Sequence, residues 1–382
     1  MVREHQPFSL GVIGGGLNSA VGYAHFVASQ MDNRWIFSTG CFSKDLTQNN
    51  ETAQKYNIDS NRVYSNWKQL ISNESGKINA ILILTPTPVH GEMIGACFDK
   101  NIPVICEKSL STSFKEAQHI ATRCKKEKQF LSVIYNYTGY PMIRELRHRI
   151  QSGDFGKIIH FQAEMPQEGF IRTDLNGKLP HPQAWRLQDG VIPTIYLDLG
   201  SHLHQMIYYL TGANPISVIA DHDSFGHFKK IVDNVECLCR YSNGMQGHFW
   251  FSKSALGYRN GLRIRIYGEK CSAEWYQLAP ETITLNYVNG RREILDRGGD
   301  ACIAQSNRYT RFKAGHPAGF IEAMANFYCD IADELELFLQ GKPSDFQKLF
   351  GVDIACDGLE ILDAIAQSVQ MKKWRQINRK VE

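Results

Sequence analysis

The stretch that decides the fold is AILILTPTPVHGEMIGACFDKNIPVICEK, residues 80–108. It opens on the apolar run 80–84, closes on the apolar run 104–106, and holds between them a segment, 92–100, patterned as helix. Two short buried runs joined through a helix make a parallel βαβ unit. In such sheets functional groups gather at the carboxyl ends of the strands. Thr85, Pro86 and His90 leave the first strand at that edge, and Glu107 and Lys108 leave the second. Desolvating an unpaired ammonium costs on the order of several kcal/mol. Lys108 is therefore either paired with Glu107 or open to a cleft, and the cleft reading is adopted because perturbed lysines at strand ends cluster at sites.

Upstream, 9–13 is a short strand running into Gly14-Gly15-Gly16, and 20–31 reads as helix, the strand–glycine turn–helix layout of a dinucleotide site. Gly14 and Gly16 supply the tight turn and close approach to a pyrophosphate, and Leu17 and Asn18 complete the expected cofactor turn. The third glycine of the fingerprint falls on Ser19, which is still small. Strand 36–42, helix 51–56, helix 113–126 and strand 130–135 continue the alternation, which specifies an N-terminal doubly wound Rossmann domain over 1–135. The second strand ends Cys41-Phe42-Ser43-Lys44, without the acidic residue that would accept the ribose hydroxyls. Ser43 and Lys44 favour NADP over NAD. The alternatives are that Lys44 is a solvated loop residue while Asp45 or Thr47 caps the next helix, or that Asp45 itself reaches the ribose.

Beyond residue 135 the pattern changes. Pro141 opens a helix to about residue 152, with Gly153 as its stop. Long strands with period-two alternation follow at 158–165, 216–221, 235–241, 245–253, 262–267, 273–277 and 282–288. In Leu262-Arg263-Ile264-Arg265-Ile266 one face is apolar and the other cationic. The second domain, 136–382, is therefore expected to be α/β with a large, mainly antiparallel sheet, covered on one face by helices 196–210, 319–339 and 350–371. The irregular stretch 169–189 is a candidate cleft lining.

Asp198-Leu-Gly-Ser-His202 is the second constellation. In a helix over 196–210, Leu199, Leu203, Met206, Ile207 and Leu210 form a core stripe, while Asp198, His202, Gln205 and Tyr209 share another face. A carboxylate one turn from a histidine can set its tautomer or charge, which suits acid–base work near neutral pH. A plain helix-surface hydrogen bond is the alternative, and His204 is read as structural.

Composition bounds the rest. The chain has 382 residues, 43% hydrophobic, with net charge +3 and ten cysteines. Its charges are interspersed, so neither nucleic acid nor membrane is an expected partner. The cysteines are scattered, mostly in apolar strands, with no CxxC pair, which fits reduced thiols in the cytoplasm and no metal site. No signal peptide or 18-residue apolar span is read in the sequence.

Taken together, VIGGG at 12–16, TPTPVH at 85–90, CEKS at 106–109, YNYTGYP at 135–141, AWR at 184–186 and DLGSH at 198–202 resemble the glucose–fructose oxidoreductase / inositol dehydrogenase (Gfo/Idh/MocA) family of NAD(P)-dependent oxidoreductases. The resemblance covers nearly the whole chain. It implies a Rossmann domain followed by an α/β domain whose open sheet is often the oligomer interface, so a homodimer or homotetramer is expected. It carries the family's lysine onto Lys108 and its Asp-x-x-x-His pair onto Asp198 and His202. Three positions depart: Ser109 stands for the usual proline, Thr87 for a frequent asparagine, and Gly190-Val-Ile-Pro-Thr-Ile-Tyr196 for a glycine-rich stretch. The implied chemistry is reversible hydride transfer between nicotinamide and a secondary hydroxyl of a sugar, cyclitol or related carbohydrate. His202 is the base, Lys108 the donor to the same oxygen and Asp198 the orienting group. Tyr135, Asn136, Tyr137, Trp185 and Arg186 are the expected substrate contacts. The rivals are a redox-neutral, NAD-assisted glycosidase or lyase of the same fold, and a non-catalytic nucleotide- or sugar-sensing regulator.

Overall fold

The computed structural model describes residues 6–343 and 350–377, so both ends of the chain, and with them the outer ends of the two expected domains, lie outside the described residues. The chain divides into two units, 1–139 with 320–356, and 140–319 with 357–382.

The first unit holds strands β1 (Phe8–Gly14), β2 (Trp35–Cys41), β3 (Ala80–Leu84), β4 (Val104–Glu107) and β5 (Leu131–Ile134). They form one sheet in the order β2-β1-β3-β4-β5, and all four pairings are parallel. Every residue of β3 is buried, as a central strand covered on both faces requires. Helices α1 (Gly22–Gln30), α2 (Leu46–Lys55), α3 (Trp67–Glu74), α4 (His90–Phe98) and α5 (Phe114–Lys126) complete the alternation. The sequence reading passed over α3, which is short and starts with an Asn66 cap that accepts from the Lys68 N–H at 2.8 Å.

The expected boundary at residue 135 also shifts. Helix α8 (Phe320–Leu339) belongs to the first unit, where the Trp35 indole donates to the Tyr328 carbonyl at 2.8 Å and Arg34 pairs with Asp333 at 2.7 Å. These contacts join residues about 300 positions apart in sequence. No local pattern announces them.

The second unit is built on a nine-stranded sheet. Its strands are β6 (Ile158–Pro166), β7 (Pro215–Asp223), β8 (Asn234–Tyr241), β9 (Gln246–Ser252), β10 (Arg263–Gly268), β11 (Cys271–Tyr276), β12 (Thr282–Tyr287), β13 (Arg292–Asp296) and β14 (Arg375–Gln376). The order is β13-β12-β11-β10-β6-β9-β8-β7-β14, antiparallel except where β6 meets β9. Along β8 burial alternates strictly, with Val235, Cys237, Cys239 and Tyr241 inward and Glu236, Leu238 and Arg240 outward. Helices α6 (Pro141–Gln151), α7 (Ser201–Thr211) and α9 (Val352–Met371) follow the expected positions. Among the described residues no helix is long and apolar enough to cross a membrane.

Candidate active site

The first unit carries the glycine turn. Gly14 and Gly15 sit at φ +84° and +71°, a conformation that L side chains rarely adopt. The close approach that a dinucleotide fingerprint needs belongs to Gly22, which opens α1, and corrects the assignment to Ser19. A Cβ on Gly22 would lie 2.1 Å from the Gly15 carbonyl oxygen. Ser19 instead accepts the N–H groups of Val21 and Gly22 through Oγ, at 3.3 and 3.2 Å. The helix therefore starts at Gly22, two residues later than expected, because the turn is three residues longer than the shortest fingerprint.

Leu17 and Asn18 are exposed, and Leu17 N–H donates to Thr52 Oγ1 at 3.2 Å, tying the turn to α2. The glycines, the exposed turn and the helix start fit a pyrophosphate. At the end of β2, Ser43 is half-buried and Lys44 exposed. Asp45 is the N-cap of α2 and accepts from Gln48 N–H at 3.0 Å.

Thr85 is half-buried and Pro86 exposed after β3, but His90 is fully buried. Its Nε2 lies 2.8 Å from the Thr85 carbonyl and its Nδ1 2.9 Å from the Ser109 carbonyl. His90 is thus a strut between the turns after β3 and β4 rather than an open cofactor contact. Burial lowers its pKa, although the Thr85 and Ser109 carbonyls pull the other way. Glu107 and Lys108 are half-buried at the end of β4, and the peptide joining Lys108 to Ser109 is cis. Tyr135, Asn136 and Tyr137 are all buried in the first unit. Tyr137 packs edge-on against Phe320, with ring centroids 5.9 Å apart. The two tyrosines are therefore core groups at this strand end. Asn136 has a buried Nδ2 without a hydrogen-bond partner.

The second unit carries Asp198 and His202. Tyr196–Gly200 is a π-helical turn running into α7, so the regular spacing assumed for the two residues is widened there. The Leu199, Leu203, Met206, Ile207 and Leu210 stripe is buried as expected. The other face is buried as well: His202, Gln205 and Tyr209 are each at most 7% exposed, and Tyr209 lies under Arg147 at 4.5 Å.

Asp198 takes two cations on one oxygen. Arg186 Nη1 and Lys253 Nζ each lie 2.6 Å from Oδ2. Arg186 also stacks on Trp185 at 4.4 Å, so this residue and Trp185 form a wall beside Asp198 rather than an open pair. Lys253 escaped the sequence reading. The signal was there, since Phe-Trp-Phe-Ser-Lys253 is an apolar strand closed by a lysine, the same pattern that drew attention to Lys108. Residues 167–181 line an open recess of about 570 Å³, walled by Glu168, Arg172 and Arg259. Neither Asp198 nor His202 lines it.

A parallel sheet with a glycine turn in one unit, and a mixed sheet with half-buried Asp198 and buried His202 in the other, have the make-up of a nicotinamide oxidoreductase. Residues 8–135 match the model of an oxidoreductase family with an NAD-binding Rossmann fold, and residues 143–274 match that of the GFO/IDH/MocA C-terminal domain. The chain is 30% identical over 335 residues to an uncharacterized oxidoreductase, YfiI, of Bacillus subtilis, covering 86% of this chain and 85% of that one. It is 23% identical to the levoglucosan dehydrogenase of Pseudarthrobacter phenanthrenivorans, over 70% of this chain and 73% of the other. The fold matches that of an inositol dehydrogenase homolog from Azotobacter vinelandii with TM-score 0.87 and 24% identity, over 97% of this chain and 98% of the other. The chain belongs to the Gfo/Idh/MocA family of oxidoreductases.

Proposed function

We propose that the protein is an NAD(P)-dependent dehydrogenase acting on a secondary hydroxyl of a sugar or cyclitol. The observation that carries this reading is Asp198 held by Arg186 and Lys253 one helical turn before the buried His202. The dinucleotide, when bound, supplies the hydride acceptor or donor. By the family resemblance, His202 is the proposed general base for the hydroxyl proton, and Lys108 the proposed donor that stabilises developing negative charge. Asp198, fixed by Arg186 and Lys253, is the proposed orienting group for His202. Asn136, Trp185 and Arg186 are the proposed substrate-side groups.

Substrate class follows by analogy. Relatives include a levoglucosan dehydrogenase and a myo-inositol 2-dehydrogenase from Thermotoga maritima, and solved neighbours were obtained with NADH and myo-inositol or with NADH and levoglucosan. Those names also bear on the cofactor. Lys44 argues for NADP on charge, but solved neighbours include complexes with NAD+ and with NADH. The proposal is NAD, with NADP tolerated because Asp45 is committed to capping α2.

A homo-oligomer assembled through the outer face of the nine-stranded sheet is also proposed. Leu238 and Ile294 stand 51% and 68% exposed there, and Leu238 lines a recess of about 870 Å³. Light scattering on the purified protein tests this part. Titration with NADH and NADPH, followed by a screen of sugars and cyclitols, tests the activity. No binding of either nucleotide would overturn the reading.

A further inference from the structure

His25 is fully buried in α1, yet both of its ring nitrogens are engaged. Nε2 lies 2.9 Å from Oε1 of Glu107, and Nδ1 lies 2.9 Å from the Tyr328 hydroxyl. The other oxygen of Glu107, Oε2, accepts the backbone N–H of Lys108 at 3.1 Å. Three elements distant in sequence, α1, the end of β4 and α8, are joined through the one imidazole.

Chemistry sets the direction of these bonds. A carboxylate only accepts, so Nε2 carries the proton toward Glu107. Burial, with the Glu107 charge adding to it, raises the Tyr328 phenol well above its ordinary value. Tyr328 therefore stays protonated, and its hydroxyl holds the ring at Nδ1 while Nε2 faces Glu107. Tyr328, His25 and Glu107 thus form one hydrogen-bonded chain, and Lys108 closes it from the other side by donating its own N–H to Glu107.

We infer that His25 and Tyr328 are positioning residues for Lys108. They clamp Glu107, and the clamped carboxylate fixes the peptide from which the Lys108 side chain projects. Neither residue needs to touch substrate for this. The inference rests on the reading of Lys108 as a group that faces the cofactor and the reacting oxygen.

Labelling tests it. Limiting acetic anhydride acylates lysines in proportion to their basicity and surroundings, and mass spectrometry gives the rate at Lys108 relative to the exposed Lys126 in the same molecule. His25→Ala is expected to shift that ratio about fivefold, the size expected for losing one hydrogen bond. His25→Gln, which keeps an N–H donor but no ionisable ring, should return the ratio most of the way to the native value. Tyr328→Phe should move it in the same direction as His25→Ala, and it carries the test should His25→Ala not fold. A ratio unchanged in Tyr328→Phe and in His25→Ala overturns the inference, as does a His25→Gln variant no closer to native than His25→Ala. Protection by NADH separates the two layers. If NADH fails to slow Lys108 acylation in the native protein, the underlying reading of Lys108 fails. If NADH protects while the variants leave the ratio unchanged, only the positioning role fails.

Discussion

Lys253 donates from Nζ to Oδ2 of Asp198 at 2.6 Å, reaching across 55 positions of sequence to the same oxygen that Arg186 holds. Both side chains are mostly buried, 11% exposed for Lys253 and 14% for Asp198, so the pair is poorly screened. Asp198 is thereby fixed and its charge shared between two cations. Lys253→Met keeps an unbranched apolar side chain and removes the ammonium, which lies 5.2 Å from the Phe170 ring centroid. The expected loss in kcat/KM is about tenfold to a hundredfold, that of a misplaced reacting group. NADH affinity should stay within error, and steady-state kinetics beside a fluorescence titration would separate the two.

Gly22 packs against the Gly15 carbonyl so tightly that a methyl group has no room. The obstacle is backbone, which cannot rotate aside. Gly22→Ala should destabilise the protein by about 1–3 kcal/mol and weaken NADH binding, because α1 can no longer start against the turn. Ser19→Ala, which loses only the Oγ acceptor at the helix start, should be milder on both counts. Urea melts of the two variants would show the ranking.

His90 supplies a pH prediction. Its folded pKa is lowered by burial, so below the ordinary value of about 6.5 the unfolded chain binds the proton more readily than the folded one. The stability His90 contributes is present above that value and is lost as pH falls from it toward the lower folded pKa. His90→Gln should therefore show a shallower decline of unfolding free energy across that window than the native protein. Parallel curves for the two would contradict the assignment.

Lys44 is the exposed cation at the cofactor end of β2. Replacing it with aspartate should raise the dissociation constant for NADPH about tenfold or more, since a 2′-phosphate then meets a like charge, and should leave NADH nearly unchanged. Equal effects on both nucleotides would place Lys44 outside the adenosine site.

What was legible in the sequence follows from the range of the forces involved. The 80–108 stretch, the glycine turn and the period-two strands are local patterns, and each formed the expected element. The Gly22 start of α1 was missed because three extra turn residues displace the fingerprint, and only the contact with Gly15 reveals it. The place of α8 in the first unit depends on Trp35 and His25 meeting Tyr328, pairings that no sequence period encodes. Lys253 was readable by the rule that singled out Lys108, but its carboxylate partner was not, because a strand end and a π-turn become neighbours only through the tertiary fold. Tyr209 fell on the candidate ligand face by spacing, yet Arg147 covers it.

The proposed reaction is hydride transfer between a nicotinamide dinucleotide and a carbohydrate hydroxyl that depends on both Lys108 and His202. The most direct measurement follows reduced-nicotinamide absorbance while the native protein, Lys108→Ala and His202→Ala are offered NAD with a panel of cyclitols and sugars that includes myo-inositol and levoglucosan. The account predicts NADH formed mole for mole with oxidised product, and a loss of about a hundredfold or more in each variant. Substrate consumed with no net NADH, or turnover undiminished in either variant, would contradict it.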